Sequence, residues 1–181
     1  MQLIMVRHGL TKMNEKGLLN GIRSNEPLDP KGADLVRDLG KRLPKDIVKI
    51  YGGDLLRVKQ TVALINETLN LPVVYDSDVN ERDYGDCSGL SWKEAEEKYP
   101  GHTLEKDYAL QFDYSDIGGE NVKHFTRRVV EFLERVKLEN AGNDKPILLV
   151  TSEGVIRVLY FYITGVLIGN ISNLEVRTVE I

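Results

Sequence analysis

Residues 3–11 read Leu3-Ile4-Met5-Val6-Arg7-His8-Gly9-Leu10-Thr11, and this stretch decides the fold of the chain. Four consecutive apolar residues are typical of a short strand buried on both faces of a sheet. Ligands of open α/β sheets bind beyond the carboxyl ends of the strands, so Arg7 and His8 would lie where a site forms. Arginine offers phosphate a planar cationic fork, and a neutral histidine can act as a nucleophile. Gly9 allows a sharp turn and leaves room for a ligand.

The rest of the chain alternates strand patterns with helix patterns. Further strands are predicted over residues 47–51, 72–75, 146–150 and 174–181, and helices over 29–44, 54–69, 92–99, 122–136 and 154–164. This alternation predicts an α/β fold, a three-layer α/β/α sandwich with a predominantly parallel central sheet. We expect a single domain over residues 1–181, with an excursion at about 91–119 that serves as a lid or substrate loop.

Composition excludes several classes of function. The 181 residues carry 24 Lys and Arg against 28 Asp and Glu, and this net charge of −4 gives no electrostatic footprint for nucleic acid. An anionic ligand would therefore need a local cluster of cations. The most apolar segment, residues 155–168, is interrupted by Arg157 and Gly165 and is too short to span a bilayer. A single cysteine, Cys87, and the lack of a signal-peptide pattern predict a cytoplasmic protein without a membrane partner.

Three other stretches place chemically useful residues at strand ends or on the loops that follow. Arg57 lies in the first turn of a helix after the strand at 47–51, where a second guanidinium would complete a phosphate clamp. Residues 80–85 (Asn-Glu-Arg-Asp-Tyr-Gly) combine an acid, a base and an aromatic ring in a loop bounded by glycine. Residues 151–154 (Thr-Ser-Glu-Gly) end the strand at 146–150. Each stretch alone is an ordinary polar segment.

Taken in order, these motifs resemble the histidine phosphatase superfamily, which includes the cofactor-dependent phosphoglycerate mutases. Residues 6–11 with Asn14 look like its signature, and later blocks match over residues 20–32, 54–61, 80–90 and 118–120. The resemblance covers nearly the whole chain, and the set is specific although each part is weak. It implies the phosphoglycerate mutase-like form of the predicted sandwich.

The resemblance also implies roles for individual residues. His8 would be the nucleophile that takes the phosphoryl group, and Arg7 and Arg57 would hold the phosphate oxygens. Asn14 would line the pocket. Glu81 would protonate the leaving oxygen and then activate the incoming water or alcohol. These roles suit phosphoryl transfer, which needs mainly positioning and cations around the transferred oxygens.

One position departs from the family pattern. Aligned on residues 154–157, Ser152 stands where the family has its second catalytic histidine. A serine hydroxyl keeps one hydrogen bond to a phosphate oxygen but cannot carry a positive charge. The loss of one preorganised donor costs on the order of 10²–10³ in rate. Glu153 would weaken the pocket for phosphate if it points inward. Whether Ser152 is an introduced change or a natural divergence is left open.

We therefore predict a phosphatase of small phosphomonoesters that works through a phosphohistidine and is impaired by Ser152. One alternative is a phosphoglycerate mutase, because Arg82 could grip a substrate carboxylate bidentately. Only that alternative would need a cofactor, 2,3-bisphosphoglycerate. A second alternative, suggested by Ser152, is a pseudoenzyme that binds phosphorylated ligands without turning them over. The predicted substrate-binding residues are Asn14, Gly21, Arg82 and Glu153. No metal is predicted, the expected partner is a small phosphorylated metabolite, and a monomer or a homodimer is compatible with the sequence.

Overall fold

Five strands form one sheet in a computed structural model that describes residues 1–181. The strands are β1 (Gln2–Arg7), β2 (Ile50–Gly52), β3 (Val73–Tyr75), β4 (Ile147–Thr151) and β5 (Val176–Glu180). They lie in the order β3-β2-β4-β1-β5, and all neighbouring pairs are parallel except the pair of β1 and β5. The carboxyl ends of the four parallel strands therefore meet at one edge of the sheet.

Helices cover both faces of this sheet. They are α1 (Lys12–Glu15), α2 (Ala33–Arg42), α3 (Leu56–Leu69), α4 (Trp92–Lys98), α5 (Leu104–Tyr108), α6 (Val122–Glu139) and α7 (Glu153–Thr164). One apolar core lies between the sheet and α2 and α3, and a second lies between the sheet and α6 and α7. The predicted α/β/α sandwich is thus confirmed. None of the helices combines the length and apolar character that a membrane span requires.

The alternation of side chains along β1 decides which helix each site residue faces. Even-numbered residues of β1 pack on the side of α2 and α3, and odd-numbered residues pack on the side of α6 and α7. Continued to the end of the strand, this alternation sends Arg7 toward α7 and His8 toward α3. Arg7 accordingly contacts Glu153 of α7, and His8 contacts Arg57 of α3.

The pairing of β1 with β4 brings a second residue to the same place. Arg7 pairs with Thr151, and the backbone N–H of His8 donates to the carbonyl oxygen of Thr151 at 2.8 Å. The residues that follow in each strand, His8 and Ser152, therefore leave the sheet side by side.

Some predicted elements differ from the observed ones. The strand predicted at 47–51 is reduced to the short β2, and the helices predicted from residues 29 and 54 begin at Ala33 and Leu56. Two short helices lie where no helix was predicted. One is α1, after β1, which begins where the Thr11 side chain accepts the N–H of Asn14, and the other is α5, in the excursion at 91–119. A helix of one turn is too short to show an apolar repeat, so these two carried no signal.

The segment at 91–119 folds over a small apolar cluster of its own. Phe112 and Tyr114 are buried there with residues of the preceding loop, including Tyr84 and Cys87. Their rings pack closely, with the centroids of Phe112 and Tyr114 4.3 Å apart. The cluster is connected to α5 because the hydroxyl of Tyr114 donates to Oδ1 of Asp107 at 3.2 Å, one residue before Tyr108.

Candidate active site

A pocket of about 390 Å³ opens at the carboxyl edge of the sheet. Arg7 and His8 reach it from β1, and Glu153 reaches it from the first turn of α7. Glu81 enters from the loop after β3, and Tyr108 covers it from α5. Of the predicted site residues, Asn14 also lines the pocket. The fold thus gathers side chains from both ends of the sequence around one cavity.

His8 is buried and held by a contact on each ring nitrogen. Its Nδ1 lies 2.8 Å from the carbonyl oxygen of Gly9, which can only accept, so Nδ1 carries the proton. Its Nε2 accepts a hydrogen bond from Nε of Arg57 at 3.2 Å, so Nε2 presents its lone pair. Burial, followed by the positive charges of Arg57 and Arg7, lowers the pKa of His8 well below its ordinary value of 6.5. The imidazole is therefore neutral, and its one lone pair, on Nε2, accepts the hydrogen bond from Arg57.

Arg57 is a buried guanidinium fixed by backbone carbonyl groups. Its Nη1 donates to the carbonyl of Ser24 at 2.7 Å, and its Nη2 donates to those of Asn20 and Gly21 at 3.0 and 3.3 Å. Gly21, predicted to bind substrate, does not line the pocket but supports Arg57 through its carbonyl oxygen. This arrangement places a fixed positive charge beside Nε2 of His8.

Arg7 is paired with a carboxylate of its own chain. Its Nη1 lies 2.9 Å from Oε2 of Glu153 and also donates to the carbonyl of Ile171. Its Nε is buried without a hydrogen-bond partner. Glu153 does point inward, as the sequence allowed. Burial raises the pKa of Glu153 above its ordinary value of 4.5, although Arg7 and Arg157 act in the opposite direction.

Glu81 is buried and oriented by two backbone donors. Its Oε1 accepts the N–H of Arg82 at 2.9 Å, and its Oε2 accepts the N–H of Gly154 at 3.2 Å. Gly154 is required for this approach, because a Cβ at that position would lie 2.5 Å from Oε1 of Glu81. The carboxyl group therefore has a fixed position on the wall of the pocket.

Ser152 lies at the beginning of α7 with its hydroxyl unused. The side chain is only 1% exposed, and its Oγ has no hydrogen-bond partner. It does not cap the helix, which begins without a side-chain cap. A buried hydroxyl without a partner is costly in a folded protein, and Ser152, predicted as a catalytic position, is not among the residues that line the pocket.

Asn14 belongs to a polar network at the rim of the pocket. Its Oδ1 accepts hydrogen bonds from Oγ1 of Thr11 at 3.1 Å and from Nδ2 of Asn173 at 3.2 Å. The same Nδ2 donates to the carbonyl of His8 at 2.9 Å. Asn173 had no signal in the sequence, because it lies in an irregular loop before β5. Its contacts fix the backbone around His8 and Gly9.

The structure places Arg82 away from the pocket. Its Nη1 lies 3.4 Å from Oδ1 of Asp107, and its Nη2 donates to the carbonyl of Phe112. The guanidinium also lies 4.5 Å from the ring of Tyr114. In this arrangement Arg82, predicted to bind a substrate carboxylate, does not line the pocket and is buried against residues of the 91–119 segment.

Arg157 is a pocket residue that sequence reasoning did not propose. Its Nη2 lies 2.8 Å from Oδ2 of Asp107, and its guanidinium lies 4.5 Å from the ring of Tyr108. Its Nε and Nη1 have no hydrogen-bond partner although the side chain is buried. The sequence did indicate that Arg157 needs a buried partner, because it is a charged residue inside the apolar segment 155–168. It did not indicate which residue that partner is.

Fold and site together define an α/β protein with a neutral histidine and two arginines at the carboxyl edge of a mostly parallel sheet, a set of groups suited to phosphoryl transfer. The chain belongs to the histidine phosphatase superfamily (branch 1), whose family model matches residues 3–181. The resemblance stated from the motifs is thus confirmed at the level of the family.

Individual relatives include both phosphatases and mutases. The chain is 31% identical to a metal-independent phosphoserine phosphatase of Arabidopsis thaliana, over 99% of the chain and 76% of that protein. It is 30% identical to a 2,3-bisphosphoglycerate-dependent phosphoglycerate mutase of Methylobacterium sp. (strain 4-46), over 97% of the chain and 86% of that protein. A solved mycobacterial glucosyl-3-phosphoglycerate phosphatase in complex with VO3 superposes with a TM-score of 0.81 at 25% identity, covering 98% of this chain and 90% of that one. These proteins are phosphoryl-transfer enzymes of two reaction types.

Proposed function

We propose that this chain is a phosphatase that moves the phosphoryl group of a small phosphomonoester to Nε2 of His8 and then to water. The observation that carries the proposal is the state of His8. The imidazole is neutral, its proton is fixed on Nδ1 by Gly9, and its lone pair on Nε2 lies beside Arg57. A nucleophile with this tautomer needs no base to activate it.

The proposed reaction has two displacement steps. In the first, Nε2 of His8 bonds to phosphorus, the ester P–O bond breaks, and Glu81 gives its proton to the leaving oxygen. In the second, Glu81 takes a proton from water, the water oxygen bonds to phosphorus, and the N–P bond breaks to release inorganic phosphate. Arg57 now donates to Nε2, and the same N–H would turn to a phosphoryl oxygen as the N–P bond forms.

Ser152 is proposed to occupy the position of the family's second catalytic histidine. Two observations support this assignment: Ser152 follows Thr151, the strand partner of Arg7, and its hydroxyl has no hydrogen-bond partner. The hydroxyl can donate one hydrogen bond to a phosphoryl oxygen, but it brings no charge. We therefore propose that the chain is slower than a relative with histidine at this position. A pseudoenzyme that only binds phosphorylated ligands is the second candidate, and Ser152 is the observation that favours it.

A mutase is less well supported by the site. The arginine that could hold the carboxylate of phosphoglycerate, Arg82, is engaged with Asp107 and Phe112. We propose that the segment at 91–119 shapes the choice of phosphomonoester instead, because it places Tyr108 over the pocket.

The test combines Ser152→His with phosphoryl trapping. We expect Ser152→His to raise the rate of aryl phosphate hydrolysis on the order of 10²-fold, because it adds a charged donor to the transition state. Rapid quenching with a labelled donor should give an acid-labile label on the protein, and His8→Ala should remove it. Label that survives His8→Ala contradicts the proposal. A rate that stays negligible and a label that never forms in Ser152→His favour the pseudoenzyme.

A further inference from the structure

The guanidinium group of Arg7, which we call the phosphate seat, is already paired with an anionic side chain of the same protein. Oε2 of Glu153 lies 2.9 Å from Nη1 of Arg7, with both side chains about 15% exposed. Arg57 donates three hydrogen bonds to backbone carbonyls through Nη1 and Nη2, whereas Nη1 of Arg7 is paired with a carboxylate, with which an incoming phosphate would compete. A phosphate oxygen and the Glu153 carboxylate would repel each other if both stayed at the same guanidinium.

A second place for this carboxylate lies within reach. Oε1 of Glu153 is 3.6 Å from Nη1 of Arg157, too far for a hydrogen bond but close enough for attraction. That Nη1 and the neighbouring Nε are buried without hydrogen-bond partners. Glu153 and Arg157 are four residues apart on α7, a spacing that places side chains on one face of a helix. A small rotation of Glu153 would therefore replace its bond to Arg7 with a bond to Arg157.

We propose that Glu153 is a resident anion of the phosphate seat, which leaves Arg7 for Arg157 when a phosphoryl group binds. This inference rests on the proposed function, because it assumes that Arg7 binds the phosphoryl oxygens. In the free protein the contact is autoinhibitory, since an anionic ligand competes with the carboxylate for Nη1 of Arg7. In the bound protein Glu153 neutralises Arg157, the residue that holds Asp107 of α5.

The exchange couples anion binding to protons. Arg7 faces Glu153 from β1 and Arg157 faces it from α7, while Glu81 and Tyr108 lie on the same pocket wall and the N–H of Ile171 donates to Oε1 at 3.3 Å. A bound dianion adds negative charge beside Glu153 and favours its protonated form. Binding therefore takes up a proton, and anion affinity should rise as the pH falls through the raised pKa of Glu153.

Sulfate titrations test this inference without catalysis. Sulfate keeps both negative charges from about pH 5 to about pH 8, so its own ionisation does not enter the measured linkage. Calorimetry should show that Glu153→Gln binds sulfate about tenfold more tightly than the natural chain at the upper pH. The difference should shrink as the pH falls toward the raised pKa of Glu153. Glu139→Gln makes the same charge change in a pair with Lys49 on the surface, and it should leave the affinity unchanged.

The outcomes separate the inference from the proposed function. Equal sulfate affinity in Glu153→Gln and the natural chain overturns the inference, and so does a pH dependence that persists unchanged in Glu153→Gln. If a folded Glu153→Gln protein binds no sulfate in the pocket, followed by the fluorescence of Trp92, the phosphate seat itself is wrong. If a phosphohistidine forms at His8 but Glu153→Gln changes neither the sulfate affinity nor its pH dependence, the proposed function stands and the inference about Glu153 fails.

Discussion

Nδ1 of His8 donates to the carbonyl oxygen of Gly9, and Nε2 accepts from the guanidinium of Arg57, so the folded protein keeps this imidazole neutral. In the unfolded chain the same group takes up a proton near its ordinary pKa of 6.5, whereas the folded pKa is well below that value. The unfolded state therefore binds more protons once the pH falls below about 6.5, and the free energy of unfolding decreases until the folded pKa is reached.

We expect His8→Asn to remove this part of the acid sensitivity. Urea denaturation at several values between about pH 7.5 and pH 5 should show a smaller loss of stability in the variant than in the natural chain. His124→Asn removes an exposed histidine that pairs with Glu120, and it serves as the control for loss of a surface imidazole. Parallel stability curves for His8→Asn and the natural chain would show that His8 is not held neutral by the fold.

The side chains that motif spacing could predict are those whose position follows directly from a strand end. Arg7 and His8 lie at the end of β1 and line the pocket, whereas Arg57 follows β2 by a few residues and lies buried behind the pocket in contact with His8. Arg82 and Arg157 could not be assigned in the same way. Their orientation depends on Asp107, which lies 25 residues from one and 50 from the other, and no local pattern links these positions.

At the scale of elements, one buried carboxylate ties α5 to the rest of the molecule. Asp107 lies 3.4 Å from Nη1 of Arg82 and 2.8 Å from Nη2 of Arg157, and it accepts the hydroxyl of Tyr114 at 3.2 Å. Asp107 and both arginines are almost fully buried. Removing the charge would leave two buried guanidinium groups without their anion, a situation that typically costs about 3–5 kcal/mol.

We therefore expect Asp107→Asn to lower the local stability of the 91–119 segment more than that of the central sheet. Hydrogen exchange should become faster over α5 and the residues that follow it, while the amides of β1 and β4 stay protected. Asp116→Asn removes an exposed charge from the same segment and should leave exchange over α5 unchanged. Unchanged exchange over α5 in Asp107→Asn would mean that the apolar cluster beneath it is sufficient to hold the segment.

The elements that the sequence predicted well are the ones that bury a continuous apolar pattern. β4 is buried along its whole length, and α6 repeats buried apolar residues over 18 residues. The segment at 91–119 is held instead by buried ion pairs and aromatic contacts, with helices of five and seven residues. Such contacts leave no periodic signal in the sequence. The sequence therefore predicted an excursion at 91–119, but not the contacts that hold this segment at the pocket.

At the scale of the whole molecule, the pocket lies where the two apolar cores meet. His8 and Arg57 belong to the side of α2 and α3, whereas Arg7 and Glu153 belong to the side of α6 and α7. An anion held by Arg7 and Arg57 would contact both sides of the sheet at once. A ligand that binds only when both sides are folded should stabilise them together.

We therefore expect inorganic phosphate to raise the thermal midpoint of the whole chain as one unit. At a phosphate concentration of about 100 times its Kd, linkage predicts about 2.7 kcal/mol of added stability, and for a chain of this size each kcal/mol shifts the midpoint by about 2–4 °C. Far-UV dichroism reports the helices on both faces, while the fluorescence of Trp92 reports the pocket wall, and both midpoints should rise equally. Chloride at matched ionic strength, and Arg7→Gln with phosphate, should give little shift. If the two signals separate on adding phosphate, the segment that carries Trp92 does not unfold together with the helices on the sheet, and the ligand does not stabilise the chain as one unit.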